Sequence, residues 1–105
     1  MKKKPIRLRA KLKNGVTTIK TLISHPMETG LRKDKKTGET IPAHFIQEVT
    51  CQHNGELKVL MEFGISVSRN PFLQFELEGG AKGDTMELAW KDNRGETDSV
   101  AAQIR

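Results

Sequence analysis

The stretch Ile6-Arg7-Leu8-Arg9-Ala10-Lys11-Leu12, closed by Lys13 and the pair Asn14-Gly15, decides the fold class. Apolar residues occupy every second position and cations fill the gaps. In an extended strand successive side chains point to opposite faces, so this pattern buries one face and wets the other. Asn-Gly comes next because a two-residue type I′ turn needs positive φ at both central positions.

The same pattern recurs downstream. Leu57, Val59, Met61 and Phe63 alternate with Glu56, Lys58 and Glu62, and only Leu60 breaks the polar side. Leu73, Phe75 and Leu77 alternate with Gln74, Glu76 and Glu78. Met86, Leu88 and Trp90 alternate with Thr85, Glu87 and Lys91, and Val100, Ala102 and Ile104 form a last inward row. Two segments are less clean. Residues 16–24 carry Ile19, Leu22 and Ile23 on mixed parity, and residues 43–53 put Phe45, Val49 and Cys51 on one face and Ile46 on the other. Asn54-Gly55, Asn93-Arg94-Gly95 and the glycine-rich 79–83 segment supply the turns. No segment has an amphipathic helical period. The reading is all-β: one domain over residues 1–105, an immunoglobulin-like β-sandwich of about seven antiparallel strands. A closed barrel is the alternative.

Composition bounds the function. Of 105 residues, 35% are apolar and 30% charged. Leu, Ile, Val and Phe stay above the ~20% below which disorder becomes the default. Lys and Arg number 18 against 13 acidic residues, a net charge of +5 that favours acidic partners without specifying nucleic acid. With one cysteine, Cys51, no internal disulfide can form. Lys2-Lys3-Lys4 resembles the start of a signal peptide, but Arg7, Arg9 and Lys11 interrupt any apolar run behind it. No stretch approaches the ~18 apolar residues of a membrane span.

Candidate chemistry is sparse. The three histidines, His25, His44 and His53, are scattered along the chain; only Cys51 and His53 share a strand face, too few ligands for zinc. Cys51 follows the buried parity of Val49, whereas a reactive thiol needs exposure and an activating neighbour. The carboxylates mostly alternate outward, as a solvated sheet face requires. Lys36-Thr37-Gly38 matches one element of a serine-hydrolase motif set whose companions are missing. No glycine loop suits a phosphate. The expectation is therefore no catalytic residue, no metal and no cofactor. The rivals are a small metal-dependent enzyme and, more seriously, a basic β-domain for single-stranded nucleic acid, through Arg32-Lys33-Asp34-Lys35-Lys36 and the basic first strand. Stacking platforms are short for that role, because Phe72 alone among the aromatics falls off the apolar parity.

His25 to Pro42 breaks the strand pattern with Pro26, Gly30, Gly38 and Pro42, and long ordered loops are often functional. Here the sequence becomes familiar. Ser24-His25-Pro26-Met27-Glu28-Thr29-Gly30, Lys33-Asp34 and Ile41-Pro42-Ala43-His44-Phe45-Ile46 resemble the SoxZ family of the bacterial thiosulfate-oxidising (Sox) system. Ile6-Arg7-Leu8-Arg9-Ala10, Asn14-Gly15-Val16, Ser68-Arg69-Asn70-Pro71 and Trp90-Lys91-Asp92-Asn93-Arg94-Gly95-Glu96-Thr97 extend the resemblance over nearly the whole chain. It implies an immunoglobulin-like sandwich that forms a heterodimer with SoxY. SoxY holds sulfur intermediates on a cysteine at the end of a glycine-rich C-terminal arm. The resemblance also implies transient contact with other Sox enzymes, and a periplasmic home reached by co-export with a signal-bearing SoxY. The end of this chain, Val100-Ala101-Ala102-Gln103-Ile104-Arg105, has neither glycine nor cysteine.

A lone subunit of such a pair is expected to form a homodimer or to aggregate slowly. Neither nucleic acid nor membrane is expected as a partner. The expected partner interface is the loop, through His25, Met27, Glu28, Thr29, Arg32 and His44, which read as too polar for the core.

Overall fold

The computed structural model describes residues 6–105, so the Lys2-Lys3-Lys4 run lies outside the described residues. Seven strands follow one another: β1 (Arg7–Lys13), β2 (Val16–Leu22), β3 (Ile46–His53), β4 (Glu56–Glu62), β5 (Phe72–Glu78), β6 (Thr85–Asp92) and β7 (Thr97–Gln103). All pairings are antiparallel. They form two sheets, β1-β2-β5 and β4-β3-β6-β7, and not a closed barrel. The order is immunoglobulin-like, with the fourth strand beside the third instead of beside the fifth. Along one side the sheets are stitched by backbone: Arg105 N–H donates to Ala10 O (3.0 Å) and Leu12 N–H to Arg105 O (2.8 Å).

The turns obey their chemistry. Asn14 and Gly15 lie at φ 52 and 77, and Asn54 and Gly55 at 49 and 84, the left-handed values that both hairpins require. The inward rows meet in one core of Ile6, Ala10, Ile19, Ile23, Met27, Ile46, Val49, Cys51, Met86, Leu88, Trp90 and Ile104.

Both mixed-parity segments have a physical explanation. In β3 the register slips between Ile46 and Glu48 and again between Cys51 and Gln52. A bulge adds one residue and moves the residues after it to the other face, so Ile46, Val49 and Cys51 are all buried despite their spacing. Ile46 thus joins the core face instead of opposing it, and Phe45 precedes the strand. Next to the second slip, Leu57 is 52% exposed rather than inward. Strand β2 ends at Leu22, and its inward row is Thr17, Ile19 and Thr21, with Ile23 just beyond.

Two buried threonines in that row need partners. Thr17 Oγ1 donates to Gly79 O at 2.7 Å. Thr21 Oγ1 is buried without a hydrogen-bond partner among the described residues. Replacing that hydroxyl by a methyl group removes a desolvation penalty and keeps the β-branched shape. Thr21→Val should therefore raise unfolding stability by about 1 kcal/mol in urea melts; an unchanged or lower midpoint would contradict the assignment.

Candidate functional site

The long link between β2 and β3 is an ordered arm. Glu28 and His44 pair as an isolated bridge, with Glu28 N–H donating to His44 O (2.7 Å) and His44 N–H to Glu28 O (2.9 Å). A second bridge joins Lys33 to Thr40, and the tip turns over Asp34, whose Oδ1 accepts the Lys36 N–H at 2.7 Å. Gly30 lies at φ +86, where a Cβ would come within 3.1 Å of the Ala43 Cβ, so the two limbs approach closely only with glycine there. At the base, Asn70 Oδ1 accepts the His25 N–H and Asn70 N–H returns to His25 O, both at 3.0 Å.

A buried cluster latches this arm to the sandwich. Asp92 ends β6 on the inward row of Met86, Leu88 and Trp90, and is 1% exposed. Its Oδ2 meets His25 Nε2 at 3.1 Å and His44 Nε2 at 2.7 Å. Its Oδ1 accepts the N–H groups of Arg94 and Glu96, each at 2.9 Å. Both oxygens are thus doubly engaged. The His25 ring stands edge-on to His44 (4.5 Å between centroids) and to Trp90 (5.0 Å).

The proton positions follow from the geometry. Met27 N–H donates to His25 Nδ1 at 3.1 Å, so Nδ1 is the acceptor and the proton sits on Nε2, facing Asp92. Met27 itself lies at φ 50, a conformation that costs a side-chain-bearing residue about 1 kcal/mol or more. It is held there by that bond and by its buried side chain, whose Sδ accepts the Ile46 N–H at 3.3 Å. Burial lowers the pKa of His25, outweighing the opposing hydrogen bond to Asp92. For Asp92, burial raises the pKa, but the hydrogen bonds from His25, His44 and the Glu96 and Arg94 amides prevail and lower it.

His25, His44 and Asp92 each bring one ligand-type atom to within 4.8 Å of the others, the beginning of a metal site by donor type. The tautomer argues otherwise. With Nδ1 taken by Met27, His25 Nε2 keeps its proton and has no lone pair for a cation. The cluster fits a hydrogen-bonded latch.

These positions correct two sequence-based expectations. His25 and His44 are not scattered: a fold contact joins them through Asp92. His25 and Met27, at 4% and 6% exposure, are interior, so neither side chain can line a contact surface. Both escape the polar-loop expectation because the arm folds back onto the core. Of the remaining loop residues, Glu28, Thr29 and His44 are half-buried, while Arg32 is exposed and ion-paired with Glu28. Sequence reasoning missed Asp92 altogether. Its signal was present, since Asp92 continues the inward parity of Met86, Leu88 and Trp90. His53 sits apart, on Asp84 (2.8 Å).

Fold and site together define an immunoglobulin-like module whose ordered inter-sheet arm is anchored to the core by a buried carboxylate. The family model for sulphur oxidation protein SoxZ matches residues 6–103. The chain belongs to that SoxZ family. No curated protein matches it.

The latch predicts acid sensitivity with a definite sign. Because the folded-state pKa of His25 lies below the ordinary 6.5, the unfolded chain takes the proton first as pH falls. Stability is full above pH 6.5 and declines below it, down to the lowered folded value. Asp92 adds a second loss as pH falls below 3.8. Urea midpoints measured across this range should show both steps, and His25→Gln should remove the upper one. Asp92→Ala, which strands four donors, should cost roughly 3–5 kcal/mol; a loss below about 1 kcal/mol would refute the latch.

Proposed function

We propose that this SoxZ-family chain is the non-catalytic partner of a SoxY sulfur carrier, exported with it to the periplasm, and helps present the carrier to the enzymes that load and unload it. Cys51 carries this reading. A covalent carrier needs an exposed, ionisable thiol on a flexible segment. Cys51, the single cysteine, is fully buried in mid-strand β3, and burial pushes its pKa up to about 11. Sulfur chemistry in such a complex therefore belongs to the partner. No helix among the described residues is long and apolar enough to cross a membrane.

Co-expression with a tagged SoxY tests the pairing: a stoichiometric complex is expected, and its absence would defeat the reading. Within that complex Cys51→Ser should leave thiosulfate turnover intact, at a stability cost of about 1–3 kcal/mol for burying a hydroxyl. Lost turnover in a folded, SoxY-bound variant would return the chemistry to Cys51.

The arm offers a narrower contact surface than its sequence suggests: Thr29, Arg32, Glu28 and the 78% exposed Leu31. Its internal hydrogen bonds reduce the entropy lost on docking. Reversing Glu28 and Arg32 together should weaken SoxY binding in calorimetry if the arm faces the carrier. If the arm faces a visiting enzyme, turnover should slow with the pair still assembled. Wild-type values for both would exclude the arm from either contact.

A further inference from the structure

The outer face of the β1-β2-β5 sheet carries a row of cations without ion-pair partners among the described residues. On β1, Arg7, Arg9, Lys11 and Lys13 are exposed and point the same way. Residues two apart on a strand are roughly 7 Å apart, so the row runs roughly 20 Å. Lys20 of β2 shares the face and stands directly opposite Arg9. Like charges in that position destabilise a sheet. None of the five cations is ion-paired among the described residues. The carboxylates of this face, Glu76 and Glu78, lie on β5, beyond Thr18 and Val16 of β2. At one end Arg7 is followed across the sheet by Leu22 and by Phe72, which is 60% exposed.

We infer that this stripe is a docking surface for an acidic polypeptide segment, distinct from the inter-sheet arm. Charge complementarity selects the occupant. An extended segment with Asp or Glu at alternate positions repeats at the same roughly 7 Å as the cations. The partner meets side chains and does not add a strand, because the outer edge of β1 at Ala10 and Leu12 is already bonded to Arg105. Leu22 and Phe72 give the stripe an apolar end that sets the direction of the bound segment. Single-stranded nucleic acid fits less well, since the face has one aromatic, two strands away from the cationic row, where successive bases need successive platforms.

The inference stands apart from the SoxY pairing and is tested without it. The probe is a fluorescent peptide of about a dozen alternating Glu and Thr residues, long enough to span the stripe. Anisotropy with the whole chain should show binding that weakens as salt rises. Lys11→Glu with Lys20→Glu should weaken it by roughly tenfold or more. Lys33→Glu with Lys36→Glu, the same change in net charge placed on the arm, should leave it within about twofold. Thermal melts confirm that both variants fold, and Arg9→Gln with Lys11→Gln gives a milder second reading of the stripe. Equal losses in the stripe and arm variants would reduce the effect to net charge and overturn the proposal. So would no measurable binding, or tighter binding of an oligothymidylate of similar length.

Discussion

The Asp92 carboxylate lies inside the sandwich, and both the long arm and the last turn take their shape from satisfying it. A buried carboxylate must find donors for its lone pairs or be neutralised. Here the donors come from three places in the chain: His25 just after β2, His44 just before β3, and the Arg94 and Glu96 amides of the turn after β6. Satisfying one group therefore closes the β6–β7 turn and pins both ends of the long arm to the same point. The strained Met27 is a consequence, since its N–H must reach His25 Nδ1 while its side chain enters the core.

The consequence for function is a division of surfaces. The cluster faces inward, so the most chemically suggestive residues of the chain are spent on architecture. Solvent meets an arm pinned at its base by Asp92 and a sheet face whose cations have no ion pair among the described residues. The thiol of Cys51 lies sealed between the sheets. The chain belongs to a sulphur oxidation family, and we assign its contacts with other proteins to these two surfaces and its chemistry to a partner.

The alternation of apolar and charged residues made most strands legible, because a half-buried strand imposes a period of two on its own sequence. The cationic parity of β1 was legible for the same reason. Two kinds of feature were not. A bulge shifts parity by one residue without any characteristic residue type, so the faces of Ile46 and Leu57 were misjudged. Polar residues that line the core also resemble surface residues in composition: Thr17, Thr21, His25 and Asp92 are all buried.

Local patterns with local causes were enough for the class of fold, the positions of the Asn-Gly turns and the mid-strand place of the one thiol. Three-dimensional packing alone decided that His25 and His44 meet on Asp92, 67 and 48 residues away along the chain. That contact arises from the pairing of β3 with β6, a long-range register that no local pattern encodes. It decides which loop residues are available to a partner.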